Sequence, residues 1–324
     1  MQKLVTSAIP LLLGLFMVGC DGGGGVSTSG LGDSTSVEFV SAGDVSGEGG
    51  GATEMEIVVR DPGFKTLPFR VDVDTAQSTA TLGEDIDGLS PSTTLTFPKS
   101  ATDGQTQAFS FEVVDDSTTD GTEELVVSLG TSDTSGTSVG PESTFTLTIQ
   151  ENDLLAASFA DSTLAPMTPR SVASDTDWST SSEGDTPNAP YASASGFGGD
   201  EPANDWLISP ALNFNRLEGE TLAFLNAKGF DDSEIRSLQV KVSTDYDGSG
   251  NPENFAWSDV SGQVNFSGGN FSFVHSGEVG LSADSLQSAE TYVAFQYRSS
   301  GTSSGSAATW QVDDIVVAGR VANP

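Results

Sequence analysis

Apolar residues alternate with polar ones in short runs along much of this chain, and between residues 36 and 153 no stretch carries a convincing helical period. Between residues 36 and 153 seven runs read as strands: VEFV (37–40), EMEIVV (54–59), PFRVDV (68–73), TLTF (94–97), AFSFEVV (108–114), ELVVSL (124–129) and TFTLTI (144–149). Alternation is clearest in Phe69/Val71/Val73, Phe109/Phe111/Val113 and Phe145/Leu147/Ile149, which gives each strand one core face and one wet face. Gly, Ser, Asp and Pro bound every run, and seven strands in about 115 residues predict an immunoglobulin-like sandwich. Loops gather at the two ends of such a sandwich, so residues distant in sequence can meet there.

A second series follows: DWLIS (205–209), TLAFLNA (221–227), SLQVKVS (237–243), FSFVHS (271–276), TYVAFQYR (291–298) and TWQVDDIVVA (309–318). It predicts a second β-sandwich, of jelly-roll type. The segment between, residues 160–195, is polar and reads as irregular, and Leu154-Leu155 reads as a brief link between domains meeting end to end. The expected fold class is all-β, with a sandwich over 36–153 and a jelly roll over 154–324.

The first nineteen residues, MQKLVTSAIPLLLGLFMVG, carry Lys3 and then an apolar run broken by Thr6, Ser7 and Pro10. That run is too short to span a bilayer comfortably and reads as a signal peptide. Met17-Val18-Gly19-Cys20 resembles a bacterial lipobox, which implies a lipid on Cys20. Residues 20–35, rich in Gly and Ser, then read as a flexible tether. The expected location is the bacterial cell envelope, at the outer membrane or cell surface rather than the inner membrane, and contact with the bilayer is through the lipid alone.

Composition narrows the chemistry. The chain has 46 Asp plus Glu against 12 Lys plus Arg, a formal charge of −34. Such a surface repels phosphate backbones and anionic lipid headgroups, so nucleic acid is not expected as a partner. Divalent cations are its natural complement. With one Cys and one His, His275, the chain cannot assemble a serine triad, a thiol-protease dyad or a typical zinc site. His275 lies in a strand-like run and reads as structural. No enzymatic role is expected.

The densest charge is VVDDSTTDGTEELVVSL, residues 113–129, where Asp115, Asp116, Asp120, Glu123 and Glu124 crowd one turn with no Lys or Arg beside them. A solvated loop, a catalytic carboxylate pair and a cation site are all open on that stretch alone. The order of acids along 37–153 resembles the Calx-β domain: VSGEGG with Glu48, STATLGEDID with Asp85, the stretch LTFPKSATDGQTQAFSFEVVDDSTTDGTEELVVSL, and the closing TIQEND. The resemblance implies calcium ligands at Glu48, Asp85, Asp115, Asp116, Asp120, Glu123, Glu151 and Asp153. Two departures, Ser117 for a third consecutive Asp and Asn152 for the middle of a triple acid, imply one or two ions of moderate affinity.

The second half is similar to the choice-of-anchor J family, related to cleaved-adhesin and MAM-like jelly rolls. The residues carrying this are Trp178 after an opening strand at Phe159, NDWLISPALNF (204–214), VKVSTDYDGSGNPENFAW (240–257), YVAFQYRSS (292–300) and ATWQVDDIVV (308–317). The resemblance implies an extracellular adhesion or accessory module with no defined reaction. Asp245, Asp247, Ser249, Gly250 and Asn251 imitate half an EF-hand loop, but Ala256 stands where its bidentate Glu belongs, so a turn is expected. A possible second metal site draws on Asp205, Asp245, Asp247 and Asp313. Trp178, Trp206, Trp257 and Trp310 could stack on a sugar, with Trp206 and Trp310 better placed as core. The E-x-D-x-x-E strand of laminarinase-like hydrolases is missing. The expected function is thus a lipid-anchored, calcium-binding envelope protein for adhesion or matrix contact. Its partner would be a glycan or another surface protein, and the alternative is a carbohydrate-binding accessory of a polysaccharide uptake or degradation system.

Overall fold

The computed structural model describes residues 35–116, 118–131, 136–183 and 189–321. The expected signal peptide, Cys20 and all of the tether but Thr35 lie outside the described residues. Among the described residues, no helix is long and apolar enough to cross a membrane. The fold is all-β, with four sheets forming two sandwiches.

In the first sandwich one sheet runs, in order, Ile86–Asp87, Thr106–Val113, Gly51–Arg60, Ser36–Phe39 and Ser138–Val139. Facing it are Gly43–Gly47, Thr144–Gln150, Glu123–Thr131, Leu67–Val73 and Ser92–Phe97. All seven alternating runs are strands. Phe69 and Val71 are fully buried while Arg70 between them is exposed, and Phe145, Leu147 and Ile149 take the core side in the same way. Phe39 meets Phe145 across the two sheets with ring centroids 5.7 Å apart. Burial of these alternate faces is the main favourable term holding the sheets together.

The second sandwich has a sheet ordered Ser179–Ser181, Tyr191–Ser195, Thr309–Val321, Leu217–Gly229 and Val274–His275. Its partner is ordered Thr168–Ala173, Asn204–Ile208, Tyr292–Arg298, Leu238–Ser243 and Ser258–Asp259. Phe224 and Phe295 pack edge to face between them, 4.9 Å apart. Trp178, Trp206 and Trp310 are buried, and Trp257 is half-buried against Trp206.

Three expectations change. Residues 160–195 are not irregular: they contain the strands Thr168–Ala173, Ser179–Ser181 and Tyr191–Ser195. FSFVHS is a strand only at Val274–His275, because Asn270 and Phe271 take positive φ of 59° and 55° and the Phe271 ring lies flat against Gly229, where any side chain would collide with it. Leu154 and Leu155 are not a link. They belong to the strand Asp153–Ala157, which pairs with Thr309–Val321 of the second sandwich. The chain therefore passes from the last strand of one sandwich, Thr144–Gln150, into the first strand of the next with only Glu151 and Asn152 between.

Candidate metal centre

That junction is where the acids gather. Glu151, Asn152 and Asp153 are all buried, and each is anchored by backbone geometry. Glu151 Oε2 accepts from the N–H groups of Asp120 and Gly121 at 2.9 and 3.1 Å, and its Oε1 accepts from Asp153 N at 2.7 Å. One carboxylate thus pulls the 115–123 loop over the chain crossing. Asn152 Nδ2 donates to Asp115 Oδ1 at 2.7 Å and to the Glu48 carbonyl at 3.2 Å, while Asn152 N donates to Glu48 Oε2 at 3.3 Å. Gly49, at φ +61°, lets the 47–50 turn approach Asp115 so closely that a Cβ there would lie 3.0 Å from its carboxyl carbon. Asp85 Oδ2 accepts from Thr81 N at 2.6 Å, and Asp116 Oδ1 from Thr118 N at 2.6 Å.

Charge crowding is the site's electrostatic signature. Burial, then a hydrogen bond shared with Glu151, pushes the Glu48 carboxyl up to about 8. Burial, then the charges of Asp85 and Asp120, lift Glu123 to about 7. Burial, then Glu151 and Asp115, lift Asp153 to about 7, and Asp120 is raised for the same kinds of reason. All eight acids expected from sequence therefore fall in one network. Among the described residues, however, no three of them stand in metal-holding geometry. Crowding by Glu151 raises Glu48, and crowding by Asp85 raises Glu123, in each case after burial.

The residues fit a hard cation. Glu123 Oε2, Asn152 Oδ1 and Asp153 Oδ2 are buried and have no hydrogen-bond partner. Unmatched buried oxygens are costly unless something positive or protic meets them, and oxygen-only donors suit calcium or magnesium. Ser117, the first departure noted above, lies outside the described residues. Asn152, the second, is not a passive loss: its amide stitches Asp115 to the Glu48 turn.

Sequence reading missed two residues. A cleft of about 290 Å³ opens onto the cluster, lined by Asp115, Asp116 and Asp153 on one side and by Glu278 and Arg320 of the second sandwich on the other. The 113–129 stretch holds no cation, but Arg320 reaches the same cleft from almost 200 residues downstream. No local signal could have paired them.

The possible second site does not assemble. Asp205 and Asp313 belong to different sheets. Asp245 and Asp247 follow Ser243, which pairs with Tyr292 at one end of a strand, whereas Asp205 pairs with Tyr297 near the other end. Asp245 Oδ2 accepts from Ala256 N, and Asp247 Oδ1 accepts from Ser249 N and Oγ, each at 2.9 Å, so that loop is a self-bonded turn. Asp205 and Asp313 are each buried with one oxygen unpartnered, and burial raises them to about 6 and about 7. His275 is exposed and accepts from Gly277 N through Nδ1, which is a turn-holding role.

No family model and no curated protein matches the chain. Among solved structures it is similar to the apo form of the Calx CBD1 domain, at 23% identity over 37% of this chain and 98% of that one, with a TM-score of 0.32. It is similar to the K1 cleaved adhesin domain of Lys-gingipain from Porphyromonas gingivalis W83, at 17% identity over 51% of this chain and 98% of that one, TM-score 0.35. A carbohydrate-binding module of the β-sandwich superfamily gives 13% identity over 88% and 98%, TM-score 0.32. At these scores a shared function does not follow.

Proposed function

We propose that the chain is a calcium-binding module of the bacterial cell envelope, lipid-anchored at Cys20, whose cation site stiffens the junction between an adhesive jelly roll and its carrier sandwich. One observation carries the reading: eight acids from four chain regions meet at the crossing point and leave buried oxygens of Glu123, Asn152 and Asp153 unmatched. Calcium, when bound, supplies positive charge and a flexible demand for six to eight oxygens. The chain's own part is to hold those oxygens. Glu48, Asp115 and Asp153 present carboxylates at the crossing, Asp85, Asp120 and Glu123 present them from the flanking loops, and Glu151 ties Asp120 and Gly121 to the crossing through two N–H contacts on one oxygen and one from Asp153 on the other. The role is structural and involves no turnover.

The test is thermal. In excess calcium the chain should melt several degrees higher than in chelator, by mass action on the folded state. Asp115→Ala combined with Asp116→Ala should remove that difference. An unchanged melting temperature in the unaltered chain sinks the reading.

A second reading is glycan recognition by the jelly roll. The observation that favours it is a cavity on the outer face of that domain, walled by Tyr246 and Tyr292 and containing Arg170.

A further inference from the structure

Strand Thr168–Ala173 lies beside Asn204–Ile208 with Arg170 opposite Trp206 and Thr168 opposite Ile208. Leu207 goes to the core, so by strand alternation Thr168, Arg170, Trp206 and Ile208 share the outer face of the sheet. Tyr246 and Tyr292 stand over one part of that face, edge to face at 5.1 Å. Between them and the strand is a cavity of about 220 Å³, lined by Thr168, Arg170, Ser209, Tyr246, Gly248 and Tyr292.

Three features of this cavity point to a ligand. Arg170 is half-buried, and its guanidinium makes one hydrogen bond, to the Pro169 carbonyl at 3.2 Å. Among the described residues no carboxylate lies within ion-pair distance of it, in a chain with nearly four acids for every base. Asp177 senses its charge without pairing. A guanidinium partly out of water is stable when something anionic completes it, and its planar fork matches a carboxylate. Next, the Tyr246 and Tyr292 rings are buried while their hydroxyls, without a hydrogen-bond partner among the described residues, stay open to solvent and so to a ligand. Finally, Gly248 closes over Tyr292 with φ +79°, and a side chain there would meet the Tyr292 hydroxyl at 2.9 Å. The volume lies below the roughly 300–1,000 Å³ of drug-sized sites, so it suits one ring.

We propose that this cavity binds a single uronate unit of an acidic polysaccharide. The carboxylate sits on Arg170 and the two phenol hydroxyls bond the hydroxyls of the ring, the aromatic bodies of Tyr246 and Tyr292 being packed on each other. Lys241, whose ammonium lies 5.5 Å from the Trp206 ring centroid, gives the same outer face a second positive charge. Asp259 and Glu253 lie near Lys241, and Glu290 and Asp247 near Tyr292, so selection of a carboxylate falls to the Arg170 fork and not to the net charge of the face. The inference rests on the glycan-recognition reading of the jelly roll and is independent of the calcium site.

The test is calorimetric titration of the purified full chain, with calcium and again with chelator, using galacturonate and glucuronate. Galactose and glucose serve as neutral counterparts, acetate as a carboxylate without a sugar, and glucose 6-sulfate as an acid of different shape. A uronate should bind saturably and at least tenfold more tightly than any of the other four ligands. Arg170→Met and Tyr292→Phe should each weaken uronate at least tenfold with an unchanged melting temperature, and Arg170→Lys, which keeps the charge and loses the fork, should recover only part of the affinity. Equal binding of neutral sugar overturns the uronate assignment and leaves glycan recognition standing. Equal binding of acetate, or tighter binding of the sulfate, overturns the assignment too. Binding of none of these ligands overturns both.

Discussion

Glu48, Glu123 and Asp153 hold protons at a pH where ordinary carboxylates have lost them, because burial and neighbouring acids raise them to about 8, 7 and 7. Their unfolded values are roughly 4. Between about pH 4 and pH 8 the folded chain therefore binds more protons than the unfolded chain, and stability falls as pH rises through that window. In chelator the chain should melt higher at pH 5.5 than at pH 8.5. Calcium needs the deprotonated oxygens, so its stabilising increment should be larger at pH 8.5. Scanning calorimetry in both buffers checks this, and greater stability of the chelated chain at pH 8.5 would contradict it. Asn152 gives a second prediction at the same scale. Asn152→Asp removes two N–H donations, to Asp115 and to the Glu48 carbonyl, and adds an acid. It should lower the melting temperature in chelator and enlarge the calcium increment, measured as the difference between the two melts.

Among the strands, Tyr292–Arg298 ties its sheet to the facing one through a single hydroxyl. Tyr297 is fully buried, its OH donates to the Ala308 carbonyl at 2.6 Å, and it accepts from Gly196 N at 2.8 Å. Tyr297→Phe strands a buried donor and a buried acceptor, and should destabilise by about 1–3 kcal/mol in urea unfolding. Long strands of this kind were legible in sequence because alternation of large apolar residues records one buried face. Gly43–Gly47, Ile86–Asp87 and Ser138–Val139 were not, for they hold no such alternation. Gly43–Gly47 is largely exposed and is held by backbone pairing, parallel to Thr144–Gln150. Thr168–Ala173 escaped for the same reason, its residues being half-buried or exposed without a period of two. The acid network was legible from the order of acids along 37–153. Arg320 and Glu278 were not, since only the antiparallel return of Thr309–Val321 beside Asp153 brings the far end of the chain to that cleft. Arg170 was hidden in a segment that reads as loop.

At the scale of the molecule, the acid cluster and the sheet of the second sandwich share a residue. Asp153 is an acid of the cluster and also the first residue of a strand paired with Thr309–Val321. Gly319 N donates to the Asn152 carbonyl at 3.0 Å, and Gly47 lies so close to Val321 that a Cβ there would be 3.0 Å from its Cγ2. Ordering the crossing should therefore stabilise both sandwiches, and the chain carries its own reporter for this. All four tryptophans, Trp178, Trp206, Trp257 and Trp310, lie in the second sandwich, and the first has none. Indole fluorescence consequently follows unfolding of the domain that does not carry the acid loops. Calcium should raise the fluorescence-detected midpoint along with the midpoint seen by far-ultraviolet circular dichroism, which reports both sandwiches. Asp153→Ala should shrink the fluorescence shift by removing the shared residue, whereas Asp85→Ala, on the remote side of the cluster, should lower calcium affinity and leave the two midpoints moving together at saturating calcium. A calcium shift confined to circular dichroism, with the indole signal unmoved, would mean that the junction does not transmit the ion's stabilisation.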